Sequence, residues 1–260
     1  MRIGLWGYGQ AGRAVASVLS QEPGFQLRWV IRGSMKDDVG ALSEIGVPIH
    51  SAQTLDIEPF LQANPVDAIV DFSVPDAIYQ YGPSAAKRRL RIVSAISNYS
   101  AAHREFIQEL GRRTPVMASA NITLGINFLL IAAGLLRKVA PFADVEIIEQ
   151  HFREKPDISG TAKRMALSLE LAEERITSLR LGGIVGHHEV VFGFPHQTVR
   201  LVHDAIRREA FGTGAAFALR ELSRCRPGTY TFDDLLQRRI REALIQHPVK
   251  RSPTEEDFED

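Results

Sequence analysis

The amino-acid sequence predicts an α/β protein, with a doubly wound parallel sheet followed by an α+β unit that has an open mixed sheet. Two observations predict this class. Across residues 1–119, short β-like runs alternate with helical patterns, which is typical of parallel strands joined by helices. Beyond Asn121, three β-rich runs follow one another with no helix between them, which indicates antiparallel or mixed pairing.

The alternation gives the elements in chain order. Strands are predicted at residues 2–6, 25–31, 68–72, 91–94 and 116–119, with helices at 12–21, 76–88 and 101–112. The second unit is predicted to contain a helix at 124–139, a strand at 144–149, a helix from residue 161, strands at 176–181, 188–192 and 198–205, and a helix at 212–225.

Three further stretches complete the predicted organisation. The apolar stretch from Ile126 to Leu136 is too short to span a membrane and is predicted to be a buried helix. Pro227 and Gly228 predict a turn. The charged tail after Ile240 is predicted to be solvated and partly disordered.

Composition excludes several classes of function. The 260 residues include 31 lysines and arginines against 31 aspartates and glutamates, so no net charge attracts nucleic acid or an anionic membrane. The single cysteine, Cys225, excludes an internal disulfide, and the chain begins with a strand pattern rather than a signal peptide. We therefore expect a cytoplasmic protein with no nucleic-acid or membrane partner.

A glycine-rich turn follows the first predicted strand directly. The pattern G-x-G-x-x-G is formed by Gly7, Tyr8, Gly9, Gln10, Ala11 and Gly12, which open a predicted helix. In this context the glycines allow a tight turn and a close approach to a pyrophosphate, which the helix N-terminus attracts. The sequence therefore predicts a Rossmann-type dinucleotide-binding domain, against the alternative of a βα turn without a ligand.

The end of the second predicted strand favours NADPH over NADH. NAD-binding domains place a carboxylate about 20 residues after the glycines, whereas this strand leads into Arg32, Ser34 and Lys36. Arg32, Ser34 and Lys36 are suited to hold a 2′-phosphate, and Arg32 is suited to a bidentate contact. Asp37 and Asp38 lie close by in the sequence, so NADH stays an alternative, as does a loop of ordinary solvated charges.

Further segments resemble one enzyme family, in the same order along the chain. They are D-F-S-V-P at 71–75, S-A-N-I-T-L-G-I-N at 119–127, E-I-I-E-Q-H at 146–151, S-G-T-A at 159–162 and G-I-V-G-H-H-E-V at 183–190, together with Lys155, Arg208 and Phe211. On these residues the sequence resembles the dihydrodipicolinate reductases, also called 4-hydroxy-tetrahydrodipicolinate reductases, of the diaminopimelate route to lysine. The resemblance extends to about Leu236.

The resemblance implies NAD(P)H-dependent reduction of a cyclic, dicarboxylated imine. Lys155 is implied as the proton donor, and His151 as the residue that polarises or helps to protonate the substrate. Arg208 is implied either to touch a substrate carboxylate or to hold the two domains together. The carboxylate cradle is implied at Ser159, Gly160 and Thr161, which open a helix. The cofactor groove is implied at Phe72, Ser73, Ser94, Ala95, Ile96, Ser119, Ala120 and Asn121.

The same resemblance implies two domains and an assembly. Residues 1–122 together with 209–260 are expected to bind the dinucleotide, and residues 123–208 to bind the substrate and to oligomerise. Family members are usually homotetramers built through the β-rich unit, so a homotetramer is expected. His187 and His188 are adjacent on a strand and point to opposite faces, so we expect no metal site.

One segment departs from the family pattern, so the substrate pocket is the open part of the prediction. Family members show H-H-R-x-K-x-D-x-P-S-G-T-A, whereas this chain has Phe152 for the second histidine, lacks the proline and has a loop one residue shorter. Phe152 donates no hydrogen bond at the place where the family binds a substrate carboxylate, although Arg153 or Lys155 can compensate. The alternatives are a reductase of a different cyclic imino acid and a non-catalytic, NADPH-sensing protein on the same fold.

Overall fold

The structure, a computed structural model, describes residues 1–33 and 43–246. The strands are β1 (Arg2–Trp6), β2 (Gln26–Arg32), β3 (Ile49–Ser51), β4 (Ala68–Asp71), β5 (Arg91–Ser94), β6 (Pro115–Ala118), β7 (Asp144–His151), β8 (Ile176–Arg180), β9 (His187–Phe194), β10 (Gln197–Asp204) and β11 (Gly228–Tyr230). The helices are α1 (Gln10–Gln21), α2 (Ile57–Ala63), α3 (Ala77–Lys87), α4 (Ala101–Gly111), α5 (Leu124–Val139), α6 (Gly160–Ser168), α7 (Glu209–Leu222) and α8 (Phe232–Gln246).

Seven strands form a parallel sheet in the order β11-β6-β5-β4-β1-β2-β3. Its central strands are almost wholly apolar, and every residue of β4 is buried, because helices cover both faces of the sheet. The strand order reverses between β1 and β4. This reversal opens a crevice at the carboxyl ends of the strands, where doubly wound sheets bind their ligands.

Four strands form a second, mixed sheet in the order β10-β9-β7-β8. β7 runs parallel to β8 and antiparallel to β9, and β9 is antiparallel to β10. One face packs on α5 and α6 through alternate residues, among them Val145, Ile147, Val190 and Phe192. The strand period of two therefore sends Glu149 and His151 to this same covered face.

Helix α7 returns the chain from the second sheet to the first. Gly212 and Gly214 let it approach its neighbours closely: a Cβ at Gly212 would lie 2.5 Å from Val18 Cβ of α1, and one at Gly214 would lie 1.6 Å from the Ile122 carbonyl oxygen. After α7 the chain adds β11 to the edge of the parallel sheet.

The predicted fold class is confirmed, and most predicted elements lie within two or three residues of the observed ones. The strand predicted at 144–149 continues to His151. The sequence did not indicate β3, α2, β11 or the bulk of α8. After Ile240 the predicted exposure to solvent is confirmed for most residues as far as Gln246, but the predicted disorder is wrong there because these residues continue α8. Residues 247–260 lie outside the described part of the chain.

The prediction that the apolar helix is buried is correct for only one of its faces. Ile126, Leu129 and Ala133 of α5 are buried, but Phe128 and Leu135 are 53% and 63% exposed. Within residues 1–33 and 43–246, none of the helices combines the length and apolarity that a membrane crossing requires.

Candidate active site

The three glycines of the turn have three separate geometric roles. Gly7 has a φ of +98°, and a Cβ on it would lie 2.6 Å from the Phe72 carbonyl carbon. A Cβ on Gly12 would lie 2.0 Å from the Gly7 carbonyl oxygen, so this glycine allows helix and strand to pack. Gly9 has open space where a Cβ would be, which leaves its backbone accessible to a ligand.

Helix α1 presents an uncapped N-terminus at this turn. Its N-cap is Gly9, no side chain from residues 1–33 or 43–246 caps it, and its first turn contains no acidic residue. Gly9 and Gln10 are exposed, Ala11 is half-buried and Tyr8 is buried. Free backbone N–H groups and the positive end of the helix dipole fit a pyrophosphate, so these residues would hold the phosphates of a dinucleotide.

The other residues predicted to line the cofactor groove follow the same edge of the sheet. Backbone hydrogen bonds run from the Gly7 N–H to the Ile31 carbonyl (2.8 Å) and from Phe72 to Trp6 (2.8 Å). They continue from Ala95 to Asp71 (2.9 Å) and from Ser119 to Ser94 (3.0 Å). Gly7, Phe72, Ala95 and Ser119 therefore stand in one row. A pocket of about 340 Å³ at the β5, β6 and β11 end of this edge is lined in part by Ile96, Ser119 and Ala120.

Ser73 and Ser94 are neighbours of this row, and their hydroxyls form hydrogen bonds within the protein. Ser73 donates its N–H and its hydroxyl to Asp71 Oδ1, at 2.9 and 2.6 Å, and Tyr81 donates to Oδ2 at 2.8 Å. Burial raises the pKa of Asp71 to about 6, against the opposing effect of these hydrogen bonds. The Ser94 hydroxyl is buried and bonds Tyr99 at 2.8 Å. Both hydroxyls are therefore engaged in hydrogen bonds within the protein.

Arg32 ends β2 and is exposed, next to the Ile31 carbonyl that bonds Gly7. Ser34, Lys36, Asp37 and Asp38, which the sequence also brought into the choice of cofactor, lie outside the described residues. Asn121 sits further along the groove edge, where its Oδ1 accepts from the N–H and hydroxyl of Thr123 and so shapes the entry into α5.

His151 is the last residue of β7, and its ring is held by a carboxylate. His151 Nδ1 hydrogen-bonds Oε2 of Glu149, which lies two residues earlier on the same strand and is fully buried. The sequence did not single out Glu149. The alternation of β7 carried the signal, because a residue two positions before His151 must share its face.

Glu149 is satisfied on its other oxygen by three donors. Oε1 accepts from Ser178 Oγ at 2.7 Å, from Arg180 Nη2 at 2.9 Å and from the Ser159 N–H at 3.3 Å. Burial raises the pKa of Glu149, but the hydrogen bonds from Arg180, Ser178, His151 and Ser159 outweigh it and hold that pKa at about 2. The carboxylate is therefore ionised at any physiological pH.

Ser159 caps α6, as its position before a helical run predicts. Its hydroxyl accepts from the Thr161 N–H at 3.2 Å and also bonds His188 Nε2 at 2.9 Å. Gly160 is exposed with open space at its Cβ position, and the first turn of α6 contains no acidic residue. The geometry leaves this helix N-terminus open to a carboxylate beside His151.

The loop between His151 and Ser159 is fastened by Arg180. Arg180 Nε donates to the Lys155 carbonyl at 3.0 Å and Nη2 donates to the Asp157 carbonyl at 2.7 Å. Phe152 is 42% exposed. Lys155 is half-buried, and within the described part of the chain its ammonium forms no hydrogen bond or ion pair.

Arg208 and Phe211 lie where the chain re-enters the first sheet. Arg208 is exposed and precedes α7, and Phe211 packs on Phe72 with the ring centroids 6.2 Å apart. The predicted R-x-x-F segment therefore reaches the cofactor edge through Phe211. His188, interpreted as structural, is buried beside His151, with the ring centroids 5.2 Å apart.

Comparison of the sequence with known proteins finds one enzyme family along most of the chain. The family models "Dihydrodipicolinate reductase, N-terminus" and "Dihydrodipicolinate reductase, C-terminus" match residues 1–122 and 122–236. The 4-hydroxy-tetrahydrodipicolinate reductase of Caldanaerobacter subterraneus subsp. tengcongensis is 31% identical over 252 residues, which cover 88% of this chain and 95% of the relative. That of Parvibaculum lavamentivorans is 29% identical over 260 residues, covering 88% and 94%.

A solved structure shares the fold. The dipicolinate-bound dihydrodipicolinate reductase from Paenisporosarcina sp. TG-14 superposes with a TM-score of 0.75 at 21% identity, covering 89% of this chain and 97% of that one. The doubly wound sheet, the glycine turn and the histidine site define an NAD(P)H-dependent oxidoreductase. Within that class, the chain belongs to the dihydrodipicolinate reductase family.

The buried His188 predicts a loss of stability in acid. Burial, with smaller contributions from His151 and His203, lowers the pKa of His188 to about 4 from its ordinary 6.5. Between pH 6.5 and about pH 4, His188 is protonated in the unfolded chain but stays neutral in the folded protein. The free energy of unfolding therefore decreases as the pH falls through this range. For this one group the decrease is on the order of 3 kcal/mol.

We expect His188→Gln to remove this contribution. Urea unfolding of both proteins across this pH range measures it: the variant should gain stability relative to wild type as the pH falls. A stability difference that stays constant from neutral pH to about pH 4 would contradict the burial of a neutral His188.

Proposed function

We propose that the chain catalyses the NAD(P)H-dependent reduction of dihydrodipicolinate (4-hydroxy-tetrahydrodipicolinate) to tetrahydrodipicolinate in diaminopimelate and lysine biosynthesis. The observation that carries this proposal is His151, fixed by a buried carboxylate beside the open N-terminus of α6. Relatives that match 88% of this chain bear the name of the enzyme for this reaction.

Each group has a distinct role in this reaction. A bound nicotinamide supplies the hydride. In the proposed carboxylate cradle, Gly160 offers its backbone N–H to a substrate carboxylate, while the Thr161 N–H donates to the Ser159 hydroxyl and so fixes the turn that presents Gly160. His151 polarises the imine, and Lys155 delivers the proton. We propose residues 123–208 as the substrate-binding unit, and residues 1–122 with 209–260 as the cofactor-binding unit.

A different cyclic imino acid is the second candidate substrate, and Phe152 favours it. Arg180 donates hydrogen bonds to Glu149 and to two loop carbonyls. It is therefore not available to replace the histidine that the family pattern has at the position of Phe152. Arg153 is exposed and Lys155 half-buried on the same loop, and they remain as the cations that can meet a second carboxylate. The exposed ring of Phe152 fits a substrate with an apolar edge at that place.

Lys155→Ala tests the reductase function. Turnover of enzymatically generated dihydrodipicolinate should fall on the order of 10²- to 10⁴-fold, because the proton donor is lost. NADPH should still raise the melting temperature of the variant, since the glycine turn is untouched. Lys163→Ala is the matched control, because Lys163 lies on the exposed side of α6 and pairs with Glu173 at 3.2 Å.

Two outcomes would reject parts of this proposal. Wild-type turnover in the Lys155 variant would remove its role as donor. A folded wild-type protein that NADPH stabilises but that reduces no cyclic imine would favour the nucleotide-sensing alternative.

We propose that NADPH is the preferred cofactor, because Arg32 ends β2 where an NAD-binding domain carries a carboxylate. Arg32→Ala should raise the KM for NADPH about 10-fold or more, as a lost charged hydrogen bond does, with little change for NADH. Arg28→Ala, exposed on the same strand, is the control. Equal changes for both cofactors would contradict the preference.

We propose a cytoplasmic homotetramer assembled through the second sheet. The face of this sheet opposite α5 and α6 exposes Leu179 and Val202, at 39% and 51%, beside the half-buried Ile148. A sheet face of this kind is typical of an interface between copies. Sedimentation should give four copies for wild type and fewer for Val202→Asp. A folded wild-type monomer at micromolar concentration would reject the tetramer.

A further inference from the structure

The carboxylate of Glu149 is surrounded asymmetrically. Three donors, from Ser159, Ser178 and Arg180, converge on Oε1, whereas Oε2 faces His151 Nδ1. An ionised carboxylate only accepts hydrogen bonds, so the proton of the shared bond must belong to Nδ1. The opposite nitrogen, Nε2, then faces away from Glu149.

Gly186 keeps the space beside His151 Nε2 free of a side chain of its own. A Cβ at that glycine would lie 3.2 Å from Nε2 and would occupy the space in which a substrate atom could approach this nitrogen. The ring nitrogen that Glu149 does not hold is therefore the one left to act on a substrate.

We propose that Glu149 is a positioning residue that fixes a proton on His151 Nδ1 and so reserves Nε2 for the substrate. Through Arg180, the same carboxylate also sets the backbone at Lys155 and Asp157. One buried group thereby orients the histidine and the loop that carries the proposed proton donor. The proposal rests on the reductase function given above and deepens it.

Glu149→Gln turns this asymmetry into a test. The carbonyl oxygen of the amide must face the three donors at the Oε1 position, so its NH₂ group must face His151. A donor at that place forces Nδ1 to accept, which moves the proton of the neutral ring to Nε2. The substitution preserves size and inverts the tautomer.

Nitrogen-15 spectra of the histidine rings measure this directly. With His151→Gln to identify its signals, wild-type His151 should show a protonated Nδ1 at every pH where the protein is folded. In Glu149→Gln at alkaline pH, Nδ1 should be unprotonated and Nε2 protonated. The kcat should fall on the order of 10²- to 10⁴-fold, as a histidine in the wrong tautomer does, with a smaller change in KM.

Glu146→Gln is the matched control, because Glu146 lies on β7 with its side chain on the opposite face, bonded to Thr177 at 3.3 Å. It should leave the His151 spectrum and kcat unchanged. An unprotonated Nδ1 in wild type would overturn the proposal, even where the Glu149 variant does not fold. An unchanged tautomer in a folded Glu149→Gln would overturn it as well.

The spectra separate this proposal from the proposed function. They need no substrate, so a wild-type protein that reduces no imine but has a protonated Nδ1 rejects the reaction and retains the role of Glu149. A wild-type protein that reduces the imine but has an unprotonated Nδ1 retains the proposed reaction and rejects the role of Glu149.

Discussion

The arrangement of the second sheet around the site depends on the hydrogen bonds that compensate the buried carboxylate of Glu149. An unpaired carboxylate in a protein interior costs several kcal/mol, so it persists only where donors replace its water. Here the donors come from β7, β8 and the first residue before α6. Because the guanidinium of Arg180 is partly exposed, the pair keeps some contact with solvent. The pairing of β7 with β8 that supplies donors to the carboxylate also brings Arg180 to the loop that follows His151, so the site requires this pairing.

This arrangement also explains how the shortened loop is tolerated. Between His151 and Ser159 the chain has no regular structure, yet Arg180 holds two of its carbonyls from β8, and both loop ends are tied to Glu149. A change of length or of an exposed residue such as Phe152 therefore alters what the loop presents, while the histidine and the helix cap stay in place. By the resemblance, the segment that departs from the family pattern is one that Glu149 and Arg180 hold through its backbone.

Local patterns predicted the parts of the fold and site that depend on local physics. The G-x-G-x-x-G turn, the strand ends just before Phe72 and Ser119, and the cap at Ser159 follow from residue type and spacing alone. Arg180 was missed because its role needs the parallel register of β7 with β8, which joins residues far apart in sequence. The helix α8 was missed because its charged composition obscured the buried positions Leu235 and Leu236. For Glu149 the strand alternation was sufficient, but the E-I-I-E-Q-H segment was interpreted only as the approach to His151.

The two proposed anion sites would bind their ligands through backbone groups more than through charged side chains. Helices α1 and α6 both begin without an acidic residue, and each opens at a glycine that leaves room for a ligand. N–H groups and helix dipoles act only at short range, so such sites need no net positive charge on the protein, in accord with its equal numbers of acids and bases. The same reasoning bears on Phe152. In the proposed carboxylate site, Phe152 supplies no donor where the family pattern has a histidine, which is worth about 1–3 kcal/mol, while the remaining donors belong to the α6 backbone. If α6 binds the substrate as proposed, replacement of that histidine weakens or redirects substrate binding without abolishing the site.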